Sequence, residues 1–188
     1  MFGAASDDIP DKYKKDAYKL GELIAKAGYG LVFGAGDSGL MGQVARGVLA
    51  QGGRITGIIP ERLNAPGVAY PECTELIVTK TMHQRKAAME EMSDAFIALP
   101  GGFGTLEELM EVITLKQLGY IDCPVCVLNS GSYYDRMNEQ FISLIEEGFA
   151  DSSNIELYYL AKDACDALEH IVNYVPKHIT RHVPLADV

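Results

Sequence analysis

Short apolar runs alternate along this chain with longer stretches in which apolar residues recur every three or four positions. The short runs predict buried strands and the longer stretches predict amphipathic helices. On that basis a helix is expected from residue 10 or 11 to about 27, a strand over 30–33 (GLVF), and a helix over 39–50. A strand over 55–59, closed by Pro60, precedes an irregular loop and a further strand at 76–78. A helix over 82–92, the strand AFIAL at 95–99 and a helix over 106–119 come next. The pattern ends with a strand at 124–128, a helix over 133–147, a strand at 156–160 and a helix over 163–175. Such alternation implies βαβ crossovers, hence an α/β fold with a mostly parallel sheet covered by helices on both faces. No linker, repeat or low-complexity tract interrupts it, and residues 1–188 are expected to form one domain. Residues 2–6 (FGAAS) read as the tail of a first strand and its turn with almost no strand ahead of them, as in a truncated start.

Composition narrows the class. A chain of 188 residues is long enough for one well-buried core, and 48% hydrophobic with 22% charged residues is ordinary for a soluble protein. No apolar run reaches membrane-span length, and the amino end lacks a signal peptide's basic start and apolar stretch, so a cytoplasmic protein is expected. The formal net charge of -10 disfavours nucleic acid as a partner, because a phosphate backbone is held by clustered Lys and Arg. Any phosphate site must therefore be local, made of a few cations and helix N-termini. Of the four cysteines, Cys123 and Cys126 have C-x-x-C spacing, but Cys126 lies in a strand-like run. Redox pairs of this kind open a helix and zinc needs two further ligands, so core packing is expected and no metal site.

The chemistry concentrates in LPGGFGTLEE, residues 99–108, where a short apolar run meets a helix start through three glycines. Gly101, Gly102 and Gly104 are expected to allow positive φ and close approach of a ligand to the main chain. Phosphates and carboxylates bind at such helix starts. Thr105 fits an N-cap, and Glu108 then has two readings: partner in a capping box, or a carboxylate placed for chemistry. A second glycine loop, with Gly34, Gly36 and Gly39 in G-x-G-x-x-G spacing and Glu61 further on, keeps a dinucleotide site open as an alternative. The third feature is TMHQRK at 81–86, where Arg85 and Lys86 sit in a first helical turn that favours negative groups. Met82, Arg85, Met89 and Met92 fall on one stripe, so Arg85 is expected to face the sheet and need an anionic partner. His83 and the pairs Glu90-Glu91 and Glu146-Glu147 read as surface.

A guanidinium, a carboxylate at a strand end and two glycine-rich helix starts suit a phosphorylated sugar or a nucleotide. The P-loop pattern G-x-x-x-x-G-K-[ST] is absent, which argues against nucleoside triphosphate hydrolysis. A carboxylate beside an anomeric carbon suits glycosidic cleavage, whose transition state is oxocarbenium-like.

Met82-x-x-Arg85-Lys86 followed by Pro100-Gly-Gly-x-Gly-Thr-x-x-Glu108 resembles the LONELY GUY family, formerly described as lysine decarboxylases. The resemblance extends through residues 34–42, 111–114, 117–119 and 122–125, nearly the whole chain. It implies a Rossmann-like homodimer that hydrolyses the N-glycosidic bond of cytokinin riboside 5′-monophosphates or AMP, with no cofactor. By the same resemblance Arg85 and Glu108 are the catalytic pair. Lys86, Gly101, Gly102, Phe103, Gly104, Thr105, Leu106, Glu107 and Thr114, with Gly34, Gly36 and Gly39, contact substrate. The glycine turn and Thr105 would receive the 5′-phosphate. Two departures stand out: the first loop reads Gly3-Ala-Ala-Ser6 where relatives commonly carry a cysteine and two serines, and residues 63–70 offer no clean glutamate for base recognition. No lysine sits in a pyridoxal phosphate context. Two other functions fit the glycine loops: a non-catalytic carrier of a nucleotide or molybdenum cofactor, and an NAD-dependent oxidoreductase.

Overall fold

The computed structural model describes residues 1–177 and 179. Among the described residues six strands and six α-helices follow one another, alternating except where β3 follows β2: α1 Asp11–Lys26, β1 Leu31–Phe33, α2 Gly39–Ala50, β2 Ile55–Pro60, β3 Glu75–Thr79, α3 Met82–Glu91, β4 Phe96–Ala98, α4 Phe103–Leu118, β5 Val125–Leu128, α5 Asp135–Glu146, β6 Tyr159–Ala161 and α6 Ala164–Val172. Every strand pair is parallel, in two three-stranded sheets ordered β1-β2-β3 and β4-β5-β6. The amino end joins them. The Met1 amino group donates to the Val32 carbonyl at 2.8 Å. On its other side Phe2 N–H donates to Ile97 at 2.9 Å and the Phe2 carbonyl accepts from Leu99 N–H at 2.9 Å, pairing with β4. Met1 and Phe2 thus lie between β1 and β4, where the strand tail was expected.

Period-two alternation sorts the strand residues into two cores. Ile97, Leu99, Cys126 and Leu128 turn to the side covered by α1, α2 and α6, while Phe96, Ala98, Val125 and Val127 turn to α3, α4 and α5. Both faces are covered along β1, β2, β4 and β5, giving the three-layer α/β/α arrangement, and this is why these strands read as continuous apolar runs, whereas β3 leaves Leu76 and Val78 exposed. Helices α1 and α2 touch through glycine: a side chain on Gly21 would overlap the Val44 carbonyl, and one on Gly47 the Tyr18 carbonyl. Cys126 is buried in β5 as packing, and all four thiols are free. Among the described residues no group of His, Cys, Asp and Glu could hold a metal, and no helix is long and apolar enough to cross a membrane.

Several expected boundaries move. Pro60 is the last residue of β2 rather than a stop beyond it, paired with Thr79 at the end of the ladder. The strand expected at 156–160 is instead a 3₁₀ helix over Ser152–Leu157 followed by β6. Its apolar residues gave a short strand-like run, but Asp151 accepts from Ser153 N–H at 2.8 Å and starts a turn. The methionine stripe of α3 is incomplete: Met89 is buried, whereas Met82 and Met92 are exposed.

Candidate active site

The largest correction concerns the start of α4. The helix opens at Phe103 with Gly102 as its N-cap, three residues earlier than the amphipathic pattern predicted. Thr105 therefore lies inside the first turn, buried against Gly101, and makes no N-cap. The capping box does not form, which removes the bland role for Glu108. Nor do Gly101, Gly102 and Gly104 take positive φ. They serve space instead: a side chain on Gly101 would overlap Thr105, and nothing lies within 4 Å of where side chains would project from Gly102 and Gly104. The first turn of α4 is consequently bare. The first backbone bond there runs from Leu106 N–H to the Gly102 carbonyl at 3.1 Å, so the earlier N–H groups have no intrahelical partner.

One turn on, Glu108 Oε1 accepts from Arg85 Nη1 at 2.8 Å. The two side chains are 11% and 12% exposed, a nearly buried ion pair beside the open helix start. Burial pushes the Glu108 carboxyl above its ordinary pKa, and the Arg85 charge and hydrogen bond offset only part of that. Arg85 is held a second time, its Nε donating to the Ile58 carbonyl of β2 at 3.2 Å. Gly34, at the carboxyl end of β1, completes the seat, since a Cβ there would overlap Nη2 of Arg85. The expectation that Arg85 turns inward to an acid is met, with Glu108 as that acid.

Lys86 points to the other side of α4, where Glu107 binds it and Glu111 lies 2.7 Å away. Burial works against its ammonium, but these two carboxylates outweigh that and hold its pKa above the usual lysine value. Leu106 is half-buried, Phe103 projects with 93% exposure, and the exposed Thr114 hydroxyl donates back to the Met110 carbonyl at 2.7 Å. His83 is exposed, as expected.

The second glycine loop is built differently from a dinucleotide site. Asp7 accepts from Gly39 N–H at 2.8 Å, and the Ala4 carbonyl accepts from Leu40 N–H at 2.8 Å. The chain's own carboxylate thus takes the anion position at the start of α2, where a pyrophosphate would sit. Gly39 has φ +63° and abuts the Ala4 carbonyl, whereas Gly36 packs on Met41. Glu61 is exposed in a 3₁₀ turn beyond β2. Of the residues expected to form the site, Arg85, Glu108, Gly34 and the Gly101–Thr105 turn converge. Gly36 lies against Met41, Gly39 against the Ala4 carbonyl, and Thr114 bonds back within α4. Asp7 and the Ile58 carbonyl went unread in the sequence; Glu111 was noted there only within the resembling stretch 111–114, without a role, although its i,i+4 spacing from Glu107 was a signal.

Comparison with known proteins places the chain in a family. A family model described as "Possible lysine decarboxylase" matches residues 41–171. The cytokinin riboside 5′-monophosphate phosphoribohydrolases LOG2 and LOG1 of Arabidopsis thaliana are 39% and 40% identical over 178 residues, covering 95% of this chain and 84% of each relative. Among solved structures, the molybdenum cofactor binding protein of Rippkaea orientalis superposes with a TM-score of 0.72 at 24% identity, covering 91% of this chain and 92% of that one. The molybdenum cofactor carrier protein of Chlamydomonas reinhardtii gives a TM-score of 0.68 at 22% identity, with the same coverage. At those identities the two structures speak for the Rossmann-like fold alone. The sequence relatives carry more: with the family model matching most of its length, this chain belongs to the LONELY GUY family of phosphoribohydrolases, the one whose model bears the lysine decarboxylase description.

Proposed function

We propose that this protein hydrolyses the N-glycosidic bond of cytokinin riboside 5′-monophosphates, AMP or both, giving the free base and ribose 5-phosphate. The observation that carries this reading is the nearly buried Arg85–Glu108 pair beside the bare first turn of α4. A 5′-phosphate suits that turn, where unpaired N–H groups and the positive helix end coincide. With the phosphate there, the ribose lies over Glu108. In the reaction water adds its oxygen to C1′, the C1′–N bond breaks, and a proton passes to the departing base. Ionised Glu108 stabilises the positive charge that grows at C1′, orients the ribose hydroxyls and can receive the proton of the attacking water. Arg85 keeps that carboxylate in place. Lys86, bound by Glu107 and Glu111, lends positive charge to the flank of the phosphate site. The site differs from two-carboxylate glycosidases in relying on one acid.

The test is chromatography of the products formed from AMP and from isopentenyladenosine monophosphate. Release of base and ribose 5-phosphate in equal amounts is expected; a folded protein that releases neither base refutes the reading. No observation favours a carrier or an oxidoreductase comparably. We propose further that the unit is one hydrolase domain, acting in the cytoplasm as a homodimer. Phe103, Met110 and Leu118 place exposed apolar side chains along one side of α4, a surface suited to a second copy. Light scattering on the purified protein should give twice the 20.5 kDa chain mass, and a monomer at micromolar concentration would refute the dimer.

A further inference from the structure

Three successive carbonyls lead into α4, and each is held from outside its own segment. Leu99 accepts from the Tyr134 hydroxyl at 2.7 Å, Pro100 from Ala4 N–H at 3.1 Å, and Gly101 from the Tyr133 hydroxyl at 2.7 Å. Leu99 is further fixed by the core and by its N–H bond to the Phe2 carbonyl at 2.9 Å, but the two glycines that follow Pro100 have no side chains to hold them. Glycine backbones lose the most freedom on ordering.

The two tyrosines are presented by a constrained turn. Gly131 and Ser132 take φ +57° and +62°, and for a serine this conformation costs energy that the surroundings must overcome. Asn129 secures the turn, accepting from Tyr134 N–H at 2.7 Å and donating to Asp135 at 2.7 Å. The rings pack edge to face, with centroids 4.9 Å apart, and Tyr13 packs edge-on against Tyr133 at 6.0 Å. Tyr134 is buried, while Tyr133 keeps one side in solvent. Neighbouring residues whose hydroxyls reach carbonyls two positions apart, from a turn that includes a left-handed serine, are more than core filling requires.

We propose that Tyr133 and Tyr134 are positioning residues of the active site: by holding the Leu99 and Gly101 carbonyls they fix the direction of the turn into α4, and with it the phosphate-facing amides and Glu108. The first part of this inference rests on the hydrogen-bond geometry; its effect on turnover rests on the hydrolase reading. Neither hydroxyl touches the reacting atoms. Burial holds the Tyr134 phenol above its ordinary pKa, so the hydroxyl keeps the proton it donates.

Tyr133→Phe and Tyr134→Phe test this, each removing one oxygen and leaving the ring. Amide exchange over residues 106–110, the first hydrogen-bonded part of α4, is expected to speed up about tenfold, the order of one hydrogen bond, while β2 and β5 exchange as before. In kinetics the ratio of kcat/KM for AMP to that for adenosine should fall by about the same factor, because the lost alignment concerns the phosphate. A residue that only stabilises the fold would lower both substrates together. Unchanged exchange at 106–110 overturns the proposal, as does acceleration spread evenly over all strands, or an unchanged AMP-to-adenosine ratio in an active enzyme. If the wild type releases no base from nucleotides, the hydrolase reading fails on its own and the exchange result still decides the positioning role. Should Tyr134→Phe fail to fold, the half-exposed Tyr133 carries the test.

Discussion

Glu108→Gln lowers base release by about 10²–10⁴-fold, the range spanned by loss of a positioned acid-base group, while the protein remains folded. Glutamine keeps the length of the side chain and an oxygen that can accept from Arg85, so the 2.8 Å contact has a substitute. What disappears is the negative charge, and with it the stabilisation of the cation forming at C1′. The pH profile supplies an independent check. Because burial raises the Glu108 pKa, a larger fraction of the wild-type enzyme is protonated in mildly acidic solution than an ordinary glutamate would allow. Protonation removes the active form, so kcat/KM should rise with pH through a midpoint above the usual glutamate value. The residual activity of the glutamine variant should lack that limb. A variant within a few fold of wild type would mean that the carboxylate does no chemistry and that the ion pair is structural.

Gly34→Ala comes next in size, with kcat/KM reduced by about 10²-fold, the order of loss from misplacing a catalytic group by roughly 1 Å. The new methyl overlaps Nη2 of Arg85. A surface arginine would swing aside at no cost, but this one is tethered at both Nε and Nη1, to Ile58 and to Glu108. It can make room only by giving up one of those bonds, and then Glu108 loses its anchor. The effect should be hidden when the arginine is gone: Gly34→Ala combined with Arg85→Ala is expected to be no slower than Arg85→Ala alone, the non-additivity of residues that act through one contact. Independent, multiplying losses in the double variant would show that Gly34 serves substrate directly, as the G-x-G-x-x-G reading had it. Steady-state kinetics on the four proteins settles the matter.

The sequence carried most of the architecture because most of it is written locally. Helix α2 runs from Gly39 to Ala50, where the three- and four-residue spacing put it, and the buried parallel strands show as apolar runs. The failures have local causes as well. Thr105 and Glu108 have the spacing of a capping box, and nothing nearby in sequence says that Gly102 caps the helix instead. Residues 156–160 hold enough apolar side chains to imitate one strand, while the 3₁₀ turn started by Asp151 takes the first two of them. For the site, the residue types and their loops were legible, Arg85 and Glu108 included. What each glycine is for was not, because the neighbour that matters is far along the chain: Arg85 for Gly34, the amino-terminal loop for Gly39. The two tyrosines left no signal, since a phenol aimed at a main-chain carbonyl looks in sequence like any other aromatic.

The seam at the centre of the sheet bears on the Arg85–Glu108 pair. Among the described residues, the hydrogen-bonded link between the sheet of β1, β2 and β3 and that of β4, β5 and β6 runs through Met1 and Phe2, and both cores pack across it. Arg85 is moored to β2 on one side of that seam, and Glu108 rides on α4, packed against β4 on the other. The ion pair is therefore a rivet between two plates. It links the two halves side chain to side chain at 2.8 Å, and on the proposed function a nucleotide held by both groups would bridge them. On the proposed function, the alignment of the pair depends on how the two halves of the sheet sit against each other.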